Sequence, residues 1–165
     1  MTANAVAGYL AVGGGKLWNI KGDYDAGSVG HWAEGSNEFW NAFDANLAAQ
    51  PGVESLWWQL CTFGGSERDG FEAAQAVLEG FRSRLPGVTI YVSAQPEYVP
   101  VGSCNLAGAN GPSFMAEVAS QLAAQPGVSA GPLTGPLSTS ETADGCHANA
   151  AGQAEMGQQL LSFFG

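Results

Sequence analysis

The stretch Leu85-Pro86-Gly87-Val88, followed by Thr89-Ile90-Tyr91-Val92, carries the fold. Proline cannot continue a helix and disfavours helical geometry in the residue before it, and glycine then supplies the turn. The four residues therefore read as a helix stop followed by a strand start. The same punctuation occurs at Gln50-Pro51-Gly52-Val53 and Gln125-Pro126-Gly127-Val128. Each break follows an amphipathic pattern and precedes a short apolar run.

Upstream of the breaks, Phe39, Phe43 and Leu47 recur at helical spacing, with Ser36 or Asn37 as the cap. Phe71, Ala74, Val77, Leu78, Phe81 and Leu85 form a second stripe, and Phe114, Met115, Val118 and Leu122 a third. A last one comprises Met156, Leu160, Leu161 and Phe164. Strands are expected at 6–12, 55–60, 88–92 and, more weakly, 128–133. Apolar strands alternating with helices predict a parallel sheet covered on both faces, a three-layer α/β/α sandwich of flavodoxin-like layout. The spacing of the breaks reflects repeated βα units, since the segments between them share no further pattern. The 165 residues suit one domain spanning 1–165.

Five basic residues against 15 acidic ones, a net charge of −10, argue against nucleic acid and anionic membrane surfaces as partners. No run approaches the roughly 20 apolar residues that span a bilayer. The N-terminus lacks the charged start and cleavage site of a signal peptide, so the chain reads as cytoplasmic or as a mature or excised module. Cys61 is expected to be a buried thiol. Cys104 and Cys146, in polar loops, could pair, which would favour an extracytoplasmic origin. No cysteine or histidine spacing suggests a metal site.

In open parallel sheets ligands sit beyond the carboxyl ends of the strands, which directs attention to loops 13–30, 61–70, 93–112 and 138–147. His31 and His147 are the two histidines. In Asp144-Gly145-Cys146-His147, the carboxylate can turn onto the imidazole and leave its far nitrogen as a base, or simply cap a turn.

The block from Asp144 to Gly152 with the helix after it resembles the last signature of the SGNH (GDSL-type) hydrolases, and the resemblance spreads over nearly the whole chain. It implies Asp144 and His147 as catalytic residues and a Ser-His-Asp mechanism on short acyl or acetyl esters, of a small molecule or a carbohydrate, with no cofactor. The first apolar run, ending Gly13-Gly14-Gly15, falls where the family carries its Gly-Asp-Ser turn, and Gly30 falls at its oxyanion glycine. The Gly15 and Gly30 amides are thus the implied oxyanion donors. Two departures stand out. The Asn of the third block is missing after Trp57-Trp58-Gln59-Leu60, with Gln59, Thr62 or a backbone amide as substitutes. Gly15 occupies the nucleophile position and offers no side chain for attack. It reads as an engineered loss of serine, a natural one, or a displaced block in which Ser28 or Ser93 serves.

Trp18 and Trp32, with Thr62, are the candidate substrate contacts; Trp40 and at least one of Trp57 and Trp58 read as core. Gly13-Gly14-Gly15-Lys16 fails as a phosphate loop, because Leu10 and Leu17 stand where the pattern needs glycine and a hydroxyl. The competing class is a non-catalytic module that binds an acylated glycan. A flavin or nucleotide binder is a third.

Overall fold

The computed structural model describes residues 2–17, 27–35, 37–50 and 52–165. Helices α1 (Thr2–Ala11), α2 (Val29–Ala33) and α3 (Asn37–Ala49) precede strand β1 (Ser55–Gln59). Then come α4 (Phe71–Arg84), β2 (Thr89–Ser93), β3 (Tyr98–Val99), α5 (Gly111–Ala123), β4 (Val128–Ala130), β5 (Leu137–Ser138) and α6 (Ala150–Phe164). The fold is mixed α/β with a short parallel sheet of order β1-β2-β4, in which Leu56 stands opposite Ile90 and Ile90 opposite Val128. The strands β3 and β5 form a separate parallel pair.

The alternation of strand side chains sorts the core into two halves. On one face Leu56, Leu60, Ile90 and Val92 meet Val29, Phe43, Phe81, Met115 and Leu122 from α2, α3, α4 and α5. On the other, Trp57 packs against a cluster that includes Tyr9 of α1 with Met156 and Leu160 of α6. Helices thus lie on both faces. The Pro-Gly breaks behave as read, with Gly52, Gly87 and Gly127 at positive φ, where a side chain is strained. In the stripes ending at Leu85, Leu122 and Phe164 most residues are buried, while Phe71, Phe114, Leu161 and Phe164 are half-buried. Ser36 lies outside the described residues.

One element differs from expectation. The run 6–12, read as the first strand, is helical as far as Ala11. Alanine has the highest helix propensity, and four alanines stand in this ten-residue helix. Ala5 and Tyr9, at i and i+4, are its fully buried contacts. A continuous apolar run carries no period to separate a buried strand from a buried helix, so tertiary packing decides. Here the decision is a close crossing of α1 with α6. A methyl group built on Gly157 would stand 2.3 Å from the carbonyl carbon of Gly8. The weaker strand at 128–133 is also cut short, ending at Ala130 before Gly131 and Pro132.

Candidate active site

Asp144 and His147 come together in a turn pinned from several sides. Gly145 takes φ +83°, which turns the chain back on itself. Asp144 Oδ1 accepts the backbone N–H groups of Cys146 (2.9 Å) and His147 (2.7 Å). Its other oxygen, Oδ2, lies 2.7 Å from His147 Nδ1. The Ala143 N–H donates to the His147 carbonyl at 2.8 Å, closing the loop. Asn149 caps α6 through Ala151 and Gly152 while donating to the Ser140 and Thr142 carbonyls. The disulfide Cys104–Cys146 fastens the residue next to His147 to the 100s loop, across 42 residues.

The His147 ring bond, then the two N–H groups, hold the Asp144 carboxyl far below the usual carboxylate range. Ionised Asp144 therefore fixes the proton on Nδ1 and leaves Nε2 as the acceptor. Both side chains are about half-exposed, and His147 lines a cavity of about 560 Å³. The cavity runs from Cys61, Gln95, Tyr98 and His147 along all of β1 to Lys16 and Phe164.

The other candidates fall in different places. Gly15 is exposed in the loop after α1, whose amino end lies by the dyad: Asn4 Nδ2 donates to the Ala148 carbonyl at 3.5 Å. The next residue, Lys16, donates its backbone N–H to Tyr9 Oη (2.9 Å) and its Nζ to the Phe164 carbonyl (2.8 Å). Helix α6 has 15 residues, so its two ends lie about 22 Å apart. Gly15 thus sits beside the carboxyl end of α6, while His147 precedes the amino end. Because the first element is a helix, neither a side chain nor an amide at Gly15 is brought to the dyad.

The Gly30 N–H is already committed. It donates to Asp69 Oδ1 at 2.7 Å in a buried contact. Asp69 Oδ2 accepts the Thr62 hydroxyl at 2.5 Å and the Phe63 N–H at 3.3 Å. Gly30 has to be glycine because a Cβ would stand 2.6 Å from the Arg68 side chain and 2.7 Å from its carbonyl oxygen. Gly30 thus packs against Arg68 and Asp69 with its N–H occupied by the Asp69 carboxylate. Thr62 is spent too, its N–H going to Gln95 Oε1 at 2.9 Å. Gln59 donates its amide to Thr134 Oγ1 at 2.7 Å.

Ser28 and Ser93 are buried. Ser28 Oγ lies 2.9 Å from His31 Nδ1, and Ser93 Oγ accepts the Trp57 indole N–H at 2.7 Å. Neither lines the cavity. Trp32 does, but it is packed among Phe39, Trp40, Phe43 and Phe81, with ring centroids 5.0–6.4 Å away. Trp18 lies outside the described residues. Cys61 is half-buried and lines the cavity, not sealed in the core.

Three residues of this region escaped the sequence reading: Asp69, Gln95 as a site residue, and Tyr98. The signal for Gln95 was available, since it is a polar side chain two residues beyond an apolar parallel strand. Among the described residues no cluster of metal-ligating side chains occurs, and no helix is long and apolar enough to cross a membrane. No family profile, no curated protein and no solved structure matches the chain.

Proposed function

We propose that this domain is an ester-hydrolase scaffold of the SGNH type, acting on short acyl or acetyl esters of a small molecule or a glycan. The observation that carries the reading is the Asp144–His147 pair, aligned at 2.7 Å, with His147 lining a cavity of substrate size. With Gly15 remote and the nearby serines buried, water is the nucleophile. His147 Nε2 removes a proton as the water oxygen attacks the carbonyl carbon, and Asp144 stabilises the imidazolium. The tetrahedral anion then collapses, its C–O bond to the alcohol breaks, and the imidazolium returns the proton to the departing oxygen. The products are the carboxylic acid and the alcohol. This route has no acyl-enzyme and is slow.

One observation favours the second reading, a binding module for an acylated glycan: neither Ser28 nor Ser93 lines the cavity, and Gly15 stands at the far end of α6. Hydrolysis of p-nitrophenyl acetate separates the two. The chain is expected to turn over slowly, and His147→Ala to lose about 100-fold or more of that rate, as general-base catalysis requires. Gly15→Ser should leave it unchanged. A rate indifferent to His147→Ala rejects the hydrolase. A His147-dependent gain in Gly15→Ser would mean that position 15 lies beside the dyad after all.

A further inference from the structure

We infer that the side-chain amide of Gln95 and the hydroxyl of Tyr98 are the donor pair that receives the anionic oxygen of a tetrahedral ester adduct beside His147. The inference rests on the hydrolase reading and supplies the donors that it lacks. The donors expected at this end of the sheet are spent or remote: Gly30 N–H on Asp69, Thr62 N–H on Gln95, the Gln59 amide on Thr134, and Gly15 at the other end of α6.

Two donors remain. Gln95 is 4% exposed and Tyr98 5%, so each is more than nine-tenths buried. Among the described residues neither Gln95 Nε2 nor Tyr98 Oη has a hydrogen-bond partner, yet no buried side-chain nitrogen or oxygen is sealed off without one. Both atoms therefore keep access to solvent, and both residues line the cavity. An unpaired buried donor costs free energy unless something in the cavity accepts from it.

The orientation of the Gln95 amide is fixed. Thr62 N–H can donate only to an oxygen, so Oε1 faces Thr62 at 2.9 Å and the NH₂ end is left beside Gly111 at the start of α5, where a Cβ would stand 3.4 Å from Nε2. Such preorganised donors, which need not turn when charge develops, are what stabilises an oxyanion. Tyr98 keeps its proton for the same task. Burial, then the nearby Cys61 and Asp144, raise its phenol well above the ordinary value. Tyr98 packs in the same buried cluster as Cys104 and Cys146, the residue before His147.

The test uses Gln95→Glu and Tyr98→Phe. Glutamate keeps an oxygen for Thr62 N–H but removes the amide donor, and phenylalanine removes the hydroxyl without adding charge. The probe is ethyl methylphosphonate, a tetrahedral monoanion, with binding followed by phosphorus NMR. The unaltered chain should bind it, His147→Ala should retain binding, and each donor variant should weaken it at least tenfold. With p-nitrophenyl acetate, both variants should lower kcat by about 100-fold with little change in KM, and leave the dependence of the rate on His147 in place. Phosphonate binding that is absent from the unaltered chain, or equal in Tyr98→Phe, overturns the inference. If the phosphonate binds through Gln95 and Tyr98 but no form hydrolyses ester, the donor pair stands and the hydrolase reading falls.

Discussion

Replacing Gly8 with alanine tests the step on which the placement of Gly15 depends, the docking of α1 as a helix on α6. An alanine Cβ at position 8 would stand 1.7 Å from the Gln153 carbonyl oxygen and 2.5 Å from its carbon, where real contacts essentially never fall below 3.0 Å. The obstructing atoms are backbone, so no rotamer change relieves the clash and the helices must move apart. That movement loosens Ala5, Tyr9, Met156 and Leu160, all 0% exposed. Overpacking of this kind costs about 3 kcal/mol at the upper end of its usual range. The helix preference of alanine over glycine returns about 1 kcal/mol. The net loss of about 2 kcal/mol corresponds to a fall in Tm of roughly 4–8 °C for a domain of this size. The assay is thermal unfolding followed by circular dichroism, with Gly15→Ala as control, since nothing lies within 4 Å of a Cβ there. The sign is the diagnostic. A glycine in an exposed helix gains stability on becoming alanine, so an unchanged or higher Tm for Gly8→Ala would refute the packing of α1 on α6.

Two further outcomes follow from the site. Removing the Cys104–Cys146 disulfide, by reduction or by a double alanine variant, opens a crosslink spanning 42 residues and should cost about 4 kcal/mol in the chain-entropy account. Urea unfolding with and without reductant measures it, and His147-dependent ester turnover should fall with it because Cys146 adjoins the base. Tyr98 gives a pH dependence of definite sign. Its folded-state value is raised above the ordinary phenol value of about 10, so the native state holds the proton that the unfolded chain releases. Stability from this residue is intact below pH about 10 and declines as pH rises beyond that value toward the folded-state one. Denaturation midpoints between pH 9 and 11.5 should drop more steeply for the unaltered chain than for Tyr98→Phe, and parallel curves would contradict the assignment.

What could be read from the sequence was chemistry confined to neighbouring residues. Pro86 with Gly87 ends α4 whatever surrounds them, and the stripe Ala74, Val77, Leu78, Phe81 names its own buried face. Asp144 and His147, three residues apart, meet through a turn that they largely build themselves. The run 6–12 is different, because its small and apolar residues fit a buried strand and a buried helix alike. The choice falls to Gly157, about 150 positions away, whose missing side chain admits the α1 backbone. The partners of the expected oxyanion donors were hidden for the same reason. Gly30 is joined to Asp69 across 39 residues, and Gln95 to Thr62 across 33. No local pattern announces which amide is spent and which is left over.

These two kinds of legibility bear on what the domain does. A general base of the proposed kind needs only its own turn and one carboxylate, and both are present, with Asp144 held by the Cys146 and His147 N–H groups. A serine nucleophile needs a chain segment delivered to the dyad from elsewhere, and here the segment that would have delivered it lies in the helix layer. Its loop is tied to the opposite end of α6 by Lys16. A lone substitution of serine for Gly15 would change the side chain and not the distance of about 20 Å that separates it from the imidazole. On the proposed hydrolase reading, the absence of a serine nucleophile is therefore set by where the first element packs, not by the identity of one residue.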